Sequence, residues 1–194
     1  GVSGYAAALE AKANKLNFLL LEASEPFSTI SNFPKGKPIF TYPKQMRPEG
    51  SITFDEPGFA GESEDAKSQP NKESLLHMLQ AKVADADIQH KVARASHVER
   101  KSGLMQVVLG NDEAPLKAHR AIIAIGRSGN FRKLGIEGED SDKCMNRLHD
   151  PKVFSGKNLI VVGGGDSAVE AAIATCEAGA NVILCHRDSD FTLP

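Results

Sequence analysis

Cysteine is scarce. The 194-residue chain holds three, Cys144, Cys176 and Cys185, and no two form a C-x-x-C pair. An odd, sparse count argues against a secreted disulfide framework and fits a reducing, cytoplasmic compartment. No His/Cys spacing reads as a metal site. Long hydrophobic runs are missing too. Runs such as Phe18–Leu21 and Leu159–Val162 are strand-sized, far short of the roughly 20 residues that a bilayer-spanning helix needs. The chain opens in a Gly-rich turn, not a charged segment followed by an apolar one, so no signal peptide is expected. Nor is there an excess of one charge. The formal net charge is -2, which offers no basic field for nucleic acid. Pairs such as Arg132–Lys133 read as solvated surface. Neither a membrane nor a nucleic-acid partner is expected.

What is present is ordinary for a globular protein: 41% hydrophobic and 25% charged residues. The length suits one large domain or two small ones. The segment from Gly1 to Glu22 reads turn, helix, strand. Tyr5–Ala13 is rich in helix formers, with Ala6, Leu9 and Ala13 spaced for one buried face. Asn14, taking a left-handed conformation, is expected to end this helix. Leu16–Leu21 is nearly all apolar, as a strand buried on both faces should be. Prolines 26, 34, 38, 43, 48, 57 and 70 then exclude long helices and central strands from Ala23 to Pro70.

Helix is expected again over Lys72–Ala86. A hairpin follows, with His97–Arg100 and Met105–Leu109 around Ser102–Gly103. Leu116–Ile125 ends in the apolar run Ala121–Ile125, and residues 127–150 form a polar linker. A second buried strand is expected at Asn158–Val162, a helix at Asp166–Glu177 and a strand at Asn181–Leu184. No solenoid repeat is visible, but two Gly-rich strand–turn–helix units look like two copies of one idea.

The stronger copy runs from Leu159 to Ala168, L-I-V-V-G-G-G-D-S-A, and matches G-x-G-x-x-A. Gly163 allows the tight turn, Gly165 lets backbone approach a pyrophosphate, and Ala168 permits close helix–strand contact. Free amides and the positive helix end, with Gly164, Asp166 and Ser167, then face phosphate. The plain alternative is a βαβ unit whose glycines serve packing alone. Beyond the next strand, an NAD site places a carboxylate on the ribose 2′-hydroxyl. Here His186 and Arg187 stand instead. The Arg187 fork suits a 2′-phosphate, with His186 against it, so NADPH is favoured over NADH. Asp188 complicates this, and Arg187 also reads as a surface residue.

The weaker copy is Gly1-Val2-Ser3-Gly4, the latter part of a G-x-G-x-x-G. The chain does not begin with Met and opens inside this motif, so a longer protein, extending upstream and downstream, is expected. Glu22 falls about 20 residues on, where a carboxylate binds a ribose hydroxyl. Alone it reads equally as an ordinary strand-end charge; the motif around it favours the ribose role. That ligand lacks a 2′-phosphate, which suits FAD. Ala23, Val92 and Gly126 complete the candidate cofactor-binding set.

These motifs resemble the thioredoxin reductase-like flavoproteins of the pyridine nucleotide-disulfide oxidoreductase superfamily. Residues 122–130, I-I-A-I-G-R-S-G-N, resemble that family's crossover segment. Residues 134–139, L-G-I-E-G-E, are similar to its L-x-I-P-G-E, with Glu137 in place of Pro. Residues 161–170, V-V-G-G-G-D-S-A-V-E, are very similar to its NADPH fingerprint, and His186-Arg187 to the start of its phosphate-binding H-R-R. The resemblance covers almost the whole chain, least well from Phe27 to Gln69. It implies an α/β fold of two Rossmann-like, three-layer (β/β/α) dinucleotide-binding domains, both incomplete in this chain. Residues 1–126 would be the N-terminal part of an FAD domain, 127–156 a crossover linker and 157–194 the first half of an NAD(P)H domain. A returning C-terminal segment of the FAD domain is not in the sequence.

The implied activity is hydride transfer from NADPH to flavin, with electrons passed to an acceptor. The dithiol of thioredoxin reductases would fall at Asn146 and His149, so C-x-x-C exchange is excluded. Cys144 stands nearby without a partner and reads as a small linker residue. The resemblance implies a relative lacking the dithiol, of the ferredoxin/flavodoxin–NADP reductase or bacillithiol disulfide reductase type, and a homodimer. The partner is a small redox protein or a small-molecule acceptor. Thr41 and Tyr42 are candidates for flavin contact, and Lys35, Lys37 and Lys44 for an acidic carrier. A Pro-rich surface loop with solvated lysines is the plainer reading. No acid–base residue is named, because the cofactors perform the chemistry. Two rivals stay open: a flavin monooxygenase and a nucleotide-binding redox sensor without turnover.

Overall fold

A computed structural model describes residues 1–39, 50–53, 70–111, 113–126 and 133–187. Helices and strands are both present, as the α/β expectation requires, and they fall into two units. One is drawn from Gly1–Ser31 and Pro38–Arg132, the other from Asn32–Lys37 and Lys133–Pro194.

In the first unit, helix α1 (Val2–Ala13) starts three residues before the expected Tyr5. Gly1 is its N-cap, and the Gly1 carbonyl accepts from the amides of Gly4 and Tyr5 at 3.1 and 3.2 Å. Its end corrects the expectation for Asn14, which has φ -88 and ψ 9. Lys15 takes the left-handed conformation instead, with φ 56. The cause is a Schellman closure one residue on: the Leu16 amide donates to the Ala11 carbonyl and the Lys15 amide to the Lys12 carbonyl, both at 2.9 Å. Asn14 satisfies a different group, donating from Nδ2 to the Glu10 carbonyl at 2.8 Å.

Strand β1 (Leu21–Glu22) pairs in parallel with β2 (Lys91–Val92). It is shorter than the Leu16–Leu21 strand read from the sequence, and Leu16 and Leu19 are exposed. Burial on both faces needs a layer on each side. Among the described residues β1 is paired on one edge only, and nothing covers Leu16 and Leu19. Between β1 and β2 come α2 (Ser28–Ser31) and α3 (Lys72–Asp85). Asn71 caps α3 through a reciprocal pair with Ser74, at 2.9 and 3.0 Å, an arrangement that contributes about 1 kcal/mol.

Helices α1, α2 and α3 meet over a core of Tyr5, Leu9, Phe27, Ile30, Leu75 and Leu79. The Tyr5 and Phe27 rings stand 4.7 Å apart. Where the Pro-rich stretch returns at residues 50–53, Ile52 is buried and Ser51 is held by Glu10 on α1. Strands β3 (Ala95–Lys101), β4 (Leu104–Leu109) and β5 (Leu116–Ala118) form an antiparallel sheet. Its expected hairpin turn is present: Ser102 and Gly103 both have positive φ, 51 and 81, which matches the twist of the flanking strands. The run Ala121–Ile125 is not strand, and Ile122, Ile123 and Ile125 are exposed.

In the second unit a 3-10 turn (Pro151–Phe154) leads to β6 (Asn158–Val162), α4 (Asp166–Glu177) and β7 (Asn181–Cys185). The strands are parallel and in register from Asn158↔Asn181 to Val162↔Cys185, and α4 packs against both. Gly179 closes α4 with φ 92. Full burial of β6 is corrected. Leu159 and Val161 are partly covered, whereas Ile160, Val162 and Ile183 are exposed. One helix covers one face of a two-stranded sheet, so alternate residues stay open among the described residues.

Candidate functional site

Each unit carries one glycine turn at the start of a helix. In the second, β6 delivers the chain to Gly163, whose amide donates to the Cys185 carbonyl at 2.9 Å and extends the ladder by one bond. Gly163 has φ 144, a region that side chains other than hydrogen rarely enter. A Cβ there would stand 3.0 Å from the Ala168 Cβ. The turn therefore needs a bare residue at 163 and a small one at 168, the two roles read from the motif. Gly165 is the α4 N-cap, exposed, and nothing lies within 4 Å of where its Cβ would be. Its carbonyl accepts from the amides of Ala168 and Val169, at 2.9 and 3.2 Å. No side chain caps the helix, so the amides of Asp166 and Ser167 face outward without an acceptor among the described residues. Open space over bare backbone, at the positive end of a 12-residue helix, fits a diphosphate.

His186 and Arg187 follow β7. Arg187 is exposed, and the His186 ring lies against Gly164. Asp188 lies outside the described residues.

The first unit repeats the plan less completely. Val2 and Ser3 hold the amides of the first turn of α1 that have no acceptor among the described residues, and that turn has neither a side-chain cap nor an acidic residue. Gly4 is buried, and a Cβ on it would contact Leu20 and Ala124 at 3.5 and 3.6 Å. Glu22, at the end of β1, comes to the same place. Its Oε2 is 2.5 Å from the Gly1 nitrogen, and its Oε1 accepts from the Ala23 amide at 2.9 Å. Burial opposes its charge, and the amides of Ala23 and Ser24 favour it. Val92 is Glu22's register partner on β2 and is exposed. Gly1 to Gly4, Glu22, Ala23 and Val92 are thus assembled at one sheet end. Carboxylate, amides and open glycine fit the ribose and phosphates of a nucleotide without a 2′-phosphate. Gly126, exposed with φ 69, follows the Ala121–Ile125 run.

Other candidates fare differently. Thr41, Tyr42, Lys44 and residues 127–130 lie outside the described residues. Lys37 is ion-paired with Glu170 on α4 within the second unit, and the Lys35 amide donates to the His149 carbonyl at 2.8 Å. Cys144 is exposed and its Sγ approaches the Gly138 carbonyl at 3.5 Å. One group carries no role in the sequence reading. Glu139 grips the amides of Leu134 and Gly135 at 2.6 and 2.7 Å, which explains a carboxylate ending the 134–139 motif. Gly164, expected to face phosphate with Asp166 and Ser167, is buried and packs against His186. No metal-holding cluster and no membrane-crossing helix occur among the described residues.

Two glycine turns opening helices beside parallel strands define a dinucleotide-binding α/β protein. The sequence matches the pyridine nucleotide-disulphide oxidoreductase profile over residues 1–192, and the chain belongs to that family. It is 45% identical over 73 residues to ferredoxin–NADP reductase of Ignicoccus hospitalis, a match covering 38% of this chain and 24% of that protein. It is 28% identical over 126 residues to ferredoxin–NADP reductase of Rickettsia felis, covering 62% and 37%. The chain thus spans well under half of either curated relative. Among solved structures, bacillithiol disulfide reductase from Staphylococcus aureus shares the fold with a TM-score of 0.81 at 22% identity, over 99% of this chain and 56% of that one. Thioredoxin reductase from Lactococcus lactis superposes with a TM-score of 0.67 at 20% identity, over 100% and 56%.

Proposed function

We propose that the protein is an FAD-dependent NAD(P)H oxidoreductase that prefers NADPH. The observation that carries this reading is the pair of glycine turns, each presenting uncapped helix amides, with Glu22 beside the first and Arg187 beyond the second. Gly1 to Gly4, Glu22, Ala23 and Val92 would hold the adenosine diphosphate half of FAD. Gly163 to Ser167 would hold the NADPH diphosphate, with Arg187 at the 2′-phosphate. The bound pair supplies the chemistry: hydride passes from the nicotinamide to the flavin, and electrons leave for an acceptor. The protein's part is to bind and orient both.

A small redox protein is the proposed acceptor. Two things support this: both curated relatives described above are named ferredoxin–NADP reductase, and cysteines are missing at Asn146 and His149.

Anaerobic titration of the intact protein tests the reading. NADPH should bleach the flavin absorbance and NADH should do so less well. Arg187→Ala should weaken NADPH and spare NADH. Equal bleaching by both would remove the Arg187 assignment, and no bleaching by either would remove the function.

A further inference from the structure

In the reading above, His186 would sit with Arg187 at the 2′-phosphate; its packing points to another task. Gly164 is buried and its φ is not positive, so its backbone would accept an ordinary residue. Space forbids one. A Cβ at Gly164 would stand 2.2 Å from Cε1 and Nδ1 of His186 and 2.6 Å from Cγ, below any distance real Cβ atoms show. The strand register explains the contact. Val162 is level with Cys185, Gly163 bonds to the Cys185 carbonyl, and the next residues on the two segments are Gly164 and His186. Both flanking glycines differ. Gly163 is constrained by φ and Ala168, and Gly165 by nothing within 4 Å. Of the three glycines, only the middle one is closed to a side chain by the imidazole.

We propose that His186 is a positioning residue for the dinucleotide diphosphate, not a reader of the 2′-phosphate. The inference rests on the nucleotide site proposed above. A clamp made of backbone has no rotamers to adjust, so the direction of its amides is set by what packs against the turn. The His186 ring props Gly164 and thereby fixes the turn that aims the Asp166 and Ser167 amides. The diphosphate is common to NADPH and NADH, so the ring should serve both alike.

Calorimetric binding of NADP⁺ and NAD⁺ to the intact protein tests this, with Tm followed in parallel. His186→Ala should weaken both ligands by the same factor, on the order of tenfold, leaving their ratio unchanged. His186→Phe, which keeps a ring but no donor, should retain most NADP⁺ affinity. Gly164→Ala should lower Tm and weaken both ligands, and adding His186→Ala should restore part of each. Selective loss of NADP⁺ in His186→Ala or His186→Phe would overturn the role. So would a Gly164→Ala protein that behaves as wild type, or a double variant no better than Gly164→Ala. A wild-type protein that binds neither ligand would refute the nucleotide site itself, a different failure from wild-type binding with a shifted ratio.

Discussion

Gly163 and Ala168 close on each other across the start of α4, with only 3.0 Å between the Ala168 Cβ and the place where a Gly163 Cβ would be. The contact sets how near the helix end comes to the strand that feeds it. Gly163→Ala adds a methyl at that contact and forces it into φ 144. It should destabilise the protein by about 1–3 kcal/mol, read by thermal or urea unfolding, and weaken NADP⁺ binding. Wild-type stability in this variant would mean the turn is not held as described.

Lys15 occupies a left-handed position at the end of α1, where a Cβ is strained. Lys15→Gly should stabilise the protein by roughly 0.5–1 kcal/mol, the strain relieved less the added chain entropy of glycine. Urea unfolding checks the sign. A loss would show that Lys15 contributes contacts that outweigh its backbone cost.

Tyr5 is fully buried, and its hydroxyl has no hydrogen-bond partner among the described residues. Desolvation, and then the Glu22 charge, push its pKa up. An unmet buried donor costs about 1–3 kcal/mol. Tyr5→Phe keeps the ring against Phe27 and should leave stability unchanged or raise it by about 1 kcal/mol. A clear fall in Tm would reveal an acceptor for the hydroxyl.

Glu10 accepts from the Ser51 hydroxyl and from the Ser51 amide, each at 2.6 Å. These bonds, the hydroxyl first, hold its carboxyl below the ordinary value of 4.5. A depressed carboxyl adds stability that is present above its unfolded pKa and is lost as pH falls through the folded one. Tm of the wild type should therefore drop on acidification below that ordinary value more steeply than Tm of Glu10→Gln. Parallel curves would show that the Ser51 contact does not carry the acid response.

The local elements were legible because their signals are local. The helical run Lys72–Ala86, Ser102–Gly103 between β-rich segments, and Gly163 before Asp166 each fix their own backbone. Leu16–Leu21 misled because an apolar run reports what a strand would like against it, not what is there. The contact of Gly164 with His186 was opaque for a related reason. His186 is 22 positions away, and only the β6–β7 register brings the two together. Lys37, a candidate for an acidic carrier in the sequence, has its partner Glu170 further still along the chain.

The amide spectrum of the isotope-labelled intact protein, followed through an NADP⁺ titration, examines the α4 turn atom by atom. Saturable shifts should be largest at Gly165, Asp166 and Ser167, because those amides would receive the diphosphate. Saturable binding that leaves those three amides unmoved while others shift would contradict the account.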